Sequence, residues 1–211
     1  MVIVLIISLF DLNVTMRTWG LECLPAIVAV ILLSLTMKRF RLTYLLYTLI
    51  FIHSLILIYG GHYSYSDVPL GFWMSDLFGW KRNNYDKIGH FWQGFCPVII
   101  ARELTYRLTP LKKGFFLEFL SWSVAMMVSS VYEIFEWLCS LTDPNEMEAF
   151  LGTQGYVYDT QSDMFMCLVG AFISILIFAH IHNYELKKLD KEKKCNIKSE
   201  EHRQIKVNIQ N

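Results

Sequence analysis

Charge is scarce in this chain. Only 18% of its 211 residues are Asp, Glu, Lys or Arg, while 54% are hydrophobic and 15% aromatic. A soluble domain carries about 25% charged residues, so the shortage argues against an ordinary water-borne globule and for a chain built to sit in lipid. Cysteine is sparse and scattered: Cys23, Cys96, Cys139, Cys167 and Cys195 are odd in number, well separated, and four lie in apolar runs. Neither a disulfide framework nor a thiolate zinc site follows from that pattern, and inert buried thiols do. No basic residue precedes the apolar run Met1–Phe10, so a cleaved signal peptide is not expected. The segment GTQG, Gly152 to Gly155, lacks the Lys-Ser/Thr that a phosphate-binding loop requires. The tail from residue 184 to 211 has almost no apolar clustering, which predicts a solvated, disordered segment. Its eight Lys and Arg between Lys187 and Lys206 are interrupted by acids, so no nucleic-acid partner is expected.

What the chain does have is long apolar runs. Crossing ~30 Å of hydrocarbon at ~1.5 Å per residue takes about 20 residues. Leu21–Met37, Leu42–Gly60, Ile88–Ala101 with polar extensions, Phe115–Leu141 and Asp163–Ile181 meet or approach that length. Met1–Phe10 is shorter and spans only by continuing through Asp11 and Asn13 or by tilting. The expected fold is an all-α, polytopic transmembrane helical bundle of about six spans over residues 1–183. Loop charge sets its orientation. Lys38, Arg39 and Arg41 share one loop, Arg102, Arg107, Lys112 and Lys113 a second, and the tail holds eight more, fifteen of the 19 basic residues. Basic loops favour the cytoplasm, which with six spans places both termini there and puts Asp11–Gly20, Gly61–Lys87 and Thr142–Ser162 on the outer side; with five spans the N-terminus lies outside and every other loop stays where it is.

Polar side chains recur at the ends of spans that this topology brings to the outer face. YDKIGHFWQG carries Asp86, His90 and Gln93 at i, i+4 and i+7, one face of a helix. YEIFEW carries Glu133 and Glu136 three apart, and Glu133 lies roughly 12 Å inside its apolar run. DTQSDM carries Asp159 and Asp163 four apart, and His62 stands in GGHYSY at another span end. An ionisable group within a span costs about 2.5–3.5 kcal/mol, so such groups turn to the bundle interior and find partners there. The prediction is one outward-facing pocket built on these eight residues, with Glu133 and Asp163 as candidate catalytic groups. Carboxylates and imidazole suit a divalent metal such as magnesium, manganese or zinc, and a substrate in that leaflet would be a membrane lipid or a lipid-linked sugar. A proton or solute pathway, or a network that only fixes helix packing, uses the same residues; Gln93, Gln154 and Gln161 fit all three. The segment Ser64–Asn84, containing VPLGFWMSDLFGW, has the pattern of a short surface helix that could lid the pocket.

The motifs GGHYSY, VPLGFW, YDKIGHFWQGF, YEIFEW and FLGTQGYVYDTQSDM, in that order and spacing, resemble the YjdF-like bacterial inner-membrane proteins. The resemblance runs from about Arg17 to about His182 and implies a multi-pass protein of the inner membrane. The family's function is unknown, so it implies no reaction. Tyr156 and Tyr158 depart from its pattern, standing where an acidic residue and a tryptophan are usual. A looser similarity, resting on Asp86, His90, Glu133 and the helix from Asp163 through Gly170-Ala171, links the chain to VanZ-like proteins, which are associated with glycopeptide-antibiotic tolerance.

Overall fold

The computed structural model describes residues 1–141 and 153–210, with side chains described through residue 193 and at Cys195. Residues 142–152 of the third expected outer loop, Gly152 included, lie outside the described residues. The chain is all-α. Its helices are α1 (Val2–Ile7), α2 (Met16–Glu22), α3 (Leu24–Thr36), α4 (Tyr44–Tyr63), α5 (Pro69–Phe78), α6 (Tyr85–Phe95), α7 (Pro97–Leu108), α8 (Phe115–Ser140) and α9 (Asp159–Gln210), with a 3-10 turn at Tyr65–Asp67.

Among the described residues three helices are long and apolar enough to cross a membrane: Tyr44–Tyr63, Phe115–Ser140 and the Asp159–Lys193 part of α9. They coincide with three of the expected spans. A fourth crossing exists if α2 and α3 count as one span bent by 58°. The expected span at Ile88–Ala101 is broken instead into α6 and α7. Both breaks have the same cause. Pro25 and Pro97 sit at the first turn of α3 and α7, where the ring removes a backbone donor and clashes with the carbonyl one turn back, so the axis bends although Cys96 keeps right-handed helical angles. α1 has six residues, about 9 Å of helix.

The helices are held by small residues at close crossings. Along α8, Leu117, Ser121, Ala125, Ser129 and Glu133 are buried at every fourth position, one stripe of a helix turned inward. α6 and α9 touch through a reciprocal glycine pair. A Cβ on Gly94 would overlap the Cys167 carbonyl, and one on Gly170 would overlap the Phe91 carbonyl. Leu46, Leu49, Ile50, Phe95, Val98, Ile99, Ala125, Ala171 and Ile175 pack as the apolar core between them.

Two polar networks bracket that core. One holds Asp163 near the start of α9 and the other His182, nineteen residues on, or about 28 Å along the helix. That is close to the hydrocarbon thickness. In the second network Arg102 grips Glu118 with Nε and Nη2 at 2.9 Å, and its Nη1 lies 2.9 Å from His182 Nδ1. His182 Nε2 lies 3.1 Å from Glu103 Oε2, and Thr43 donates its hydroxyl to the same oxygen at 2.7 Å. Arg102 is therefore a buried tie among α7, α8 and α9, although its charge reads in the sequence as that of a loop residue. Beyond residue 184 the backbone remains helical to Gln210, where the composition suggests an unstructured tail. No glycine or proline follows Gly170 to interrupt the helix.

Candidate functional site

The site forms where the N-termini of α6 and α9 meet the C-terminal ends of α2 and α8. Asn83 sets up the entry to α6. Its side chain donates to the Val68 carbonyl at 2.9 Å and accepts from the Tyr85 amide at 3.1 Å. Gln154 clasps the backbone of the same residue from across the chain, accepting from its N–H at 3.1 Å and donating to its carbonyl at 2.7 Å. This clasp brings the α5–α6 connection against the start of α9.

The eight residues expected in one pocket divide into two adjoining groups and one outlier. In the first group Asp86, Asp159 and Asp163 are all buried and offer ligand atoms within 4.8 Å of one another. Cationic side chains already occupy it. Lys87 Nζ lies 2.7 Å from Asp159 Oδ1, 2.6 Å from Asp163 Oδ1 and 3.2 Å from Asp86 Oδ2. Arg82 reaches Asp159 Oδ1 at 2.7 Å, donates to the Thr153 carbonyl at 2.8 Å and lies over the Tyr156 ring. The acidic pair at the mouth of α9 is thus an anchor for two cations, favoured further by the positive end of the helix dipole.

The second group is His90, Glu133 and Glu136, with ligand atoms again within 4.8 Å of one another. His90 Nδ1 lies 3.0 Å from Gln93 Oε1 and 3.6 Å from Glu133 Oε1, and its Nε2 lies 3.7 Å from Asp163 Oδ1. The two carboxylate separations exceed hydrogen-bond length, so Gln93 is the side chain that fixes the imidazole. Glu133 is only 8% exposed, and its Oε1 has no hydrogen-bond partner among the described residues. Thr160 is the hydrogen-bonding neighbour of its carboxyl. Among the described residues the side chain that ion-pairs with Glu133 is His90 and not a Lys or Arg, which distinguishes this group from the first.

His90 and Glu136 of this group, but not Glu133, line a cavity of about 130 Å³, together with Glu22, Pro25, His53, Tyr65, Asp86, Gln93, Pro97 and Tyr132 among others. Residues from both helix breaks, Glu22 and Pro25 at one and Gln93 and Pro97 at the other, contribute to its wall. Glycines admit its aromatic wall: a Cβ on Gly60 or Gly89 would press the Tyr65 ring at 2.7 and 2.9 Å. Several polar atoms here are buried without a hydrogen-bond partner among the described residues, namely Glu22 Oε2, His53 Nε2 and the Tyr65 hydroxyl.

The outlier is His62. Its Nδ1 lies 2.9 Å from the Ser8 carbonyl, tying the end of α4 to the residue after α1, and it does not line the cavity. The expected surface helix exists as α5, and none of its residues lines the cavity; of the segment Ser64–Asn84 it is Tyr65 that does. Tyr65, in the 3-10 turn before α5, closes that side. Glu22, His53, Tyr65, Arg82 and Lys87 are the members that the sequence did not suggest. Glu22 alone carried a signal, a carboxylate inside the expected span Leu21–Met37.

With the geometry established, comparison with known proteins places the chain. Residues 1–184 match the family described as "Predicted membrane protein (DUF2238)", and the chain belongs to that family. It is a multi-pass protein of the bacterial inner membrane. It is 44% identical over 171 residues to the inner membrane protein YjdF of Escherichia coli strain K12, an alignment covering 81% of this chain and 82% of the relative. No solved structure matches it. Neither description carries an activity.

Proposed function

We propose that the protein binds a divalent cation at His90, Glu133 and Glu136 and presents it to a small oxygen-bearing group of a lipid or lipid-linked envelope component in the adjoining cavity. The observation that carries this reading is Glu133 Oε1, buried, without a hydrogen-bond partner among the described residues, and 3.6 Å from the His90 ring. A buried carboxylate needs a proton or a cation, and the cations of Lys87 and Arg82 are spent on the neighbouring aspartates. Two ligand atoms about 2.1 Å from one ion stand at most ~4.2 Å apart, so a cluster within 4.8 Å closes by small side-chain rotations. Mixed oxygen and imidazole donors suit magnesium, manganese or zinc. Such an ion supplies Lewis acidity toward a phosphoryl or acyl oxygen, or hydroxide near neutral pH. Gln93 holds the ring of His90, and Asp163, pinned by Lys87, faces its other nitrogen.

Elemental analysis of the detergent-purified protein beside His90→Ala tests this reading. Metal at a fixed ratio in the wild type, lost in a variant that stays monodisperse, is the expected result; no metal in the wild type under several metal supplements overturns it. A non-catalytic role in binding or moving a lipid or small solute is the second reading. It is favoured by the position of the cavity between two broken helices, an arrangement that membrane proteins use for solute sites. Its mark is pH-dependent ligand binding without stoichiometric metal.

A further inference from the structure

Among the described residues Glu22 is the buried carboxylate that the site described above leaves unexplained. It is 3% exposed and ends α2 at the 58° bend, with its carboxyl in the cavity wall. The hydroxyl of Ser64 bonds the carboxyl, yet Oε2 has no hydrogen-bond partner among the described residues. It also lies outside the His90–Glu133–Glu136 set, so a metal there leaves it unbalanced. Beside it the cavity presents the Tyr65 hydroxyl and His53 Nε2, both buried and equally without partners among the described residues. Among the described residues the lining contains Glu22, Asp86 and Glu136, two histidines and two tyrosines, but no Lys or Arg. An anionic group entering here meets carboxylates. A positively charged donor meets an acceptor that lacks one, flanked by aromatic rings that also attract cations.

Size narrows the occupant. A cavity of ~150 Å³ takes one benzene-sized molecule, so about 130 Å³ admits a group of about half a dozen heavy atoms. We infer that the cavity takes a small ammonium-bearing head group, of ethanolamine dimensions, with its ammonium against Glu22 and Tyr65 and the remainder of the lipid outside. This rests on the cavity being the binding chamber, as proposed above, but not on the metal.

The test measures thermal unfolding of the detergent-purified protein against concentration of dihexanoyl phosphatidylethanolamine. Dihexanoyl phosphatidylglycerol and free ethanolamine serve as parallel titrants. A ligand that binds the folded state raises the midpoint with its concentration. The expected result is saturable stabilisation by the ethanolamine lipid and none beyond the detergent baseline by the glycerol lipid. Glu22→Gln should weaken the apparent affinity at least tenfold while its metal-to-protein ratio stays at the wild-type value. Saturable stabilisation by free ethanolamine at equal or lower concentration identifies the free amine, rather than the lipid, as the source of the same group. If Glu22→Gln does not fold, Tyr65→Phe replaces it, with a loss of affinity of at least threefold expected. Equal response to the two lipids, or unchanged affinity in the variant that folds, overturns the inference. Because metal content is read on the same samples, loss of metal binding and loss of amine selectivity are separate results.

Discussion

At the scale of single residues, Lys87 organises the polar end of the bundle. Its ammonium touches three carboxylates from two helices and fills the space that a cation would otherwise take among Asp86, Asp159 and Asp163. Removing one partner of a buried ion pair costs far more than the pair contributes, because the survivor is left uncompensated. Lys87→Met should therefore lower stability by ~3 kcal/mol, read as a fall in the thermal midpoint in detergent, while Lys87→Arg falls much less. The carboxylates and imidazole of this region were legible because i, i+3 and i, i+4 spacings put them on single helix faces. Their partners were not. Lys87 follows Asp86 directly and so leaves its face of α6, and only the approach of α9 swings its long side chain onto Asp163. His53 carries no fixed charge to mark it inside an apolar run, and Tyr65 lies in an expected outer loop, outside the runs. Glu22 was legible by the same reasoning that found Glu133, an ionisable group within a span.

At the scale of elements, the site depends on how closely α6 and α9 approach. The two glycines at that crossing face backbone, not flexible side-chain ends, so a larger residue cannot be accommodated by a rotamer change. Gly94→Val should abolish the folded population or lower the thermal midpoint more than the same change at Gly20, where a Cβ would meet nothing within 4 Å. Fluorescence-detected size exclusion of the two variants side by side measures this. The long spans of α4, α8 and α9 were readable from apolar length. The interruptions at Cys23 and Cys96 were also available in CLP and FCP, but apolar composition runs straight through a proline. Hydropathy counts residues and is blind to a missing backbone donor. The fate of α5 was set by a different physics: its pattern gives a helix, but what that helix covers depends on the fold of Tyr65–Asp67.

At the scale of the whole molecule, charge and length give the same frame. The networks at Asp163 and His182 lie about 28 Å apart along one helix, with apolar residues between them and basic residues concentrated beyond the second. That distribution predicts a cytoplasmic tail. Cys195 is exposed, whereas Cys23, Cys96 and Cys167 are buried. In a Cys139→Ser background, a membrane-impermeant maleimide should label Cys195 in inverted vesicles and leave intact spheroplasts unlabelled; the reverse pattern would invert the topology. The same frame sets the cavity at the opposite end of the bundle, where a small polar group can enter without crossing the apolar core.

Equilibrium dialysis against manganese(II), on wild type, Glu133→Gln and Asp159→Asn, separates the cation-filled aspartate cluster from the open glutamate cluster. One ion per chain is expected in the wild type and in Asp159→Asn, with affinity at least tenfold weaker in Glu133→Gln. Retention by Glu133→Gln with loss in Asp159→Asn would put the ion among the aspartates, and no uptake by the wild type beyond empty micelles would remove it altogether.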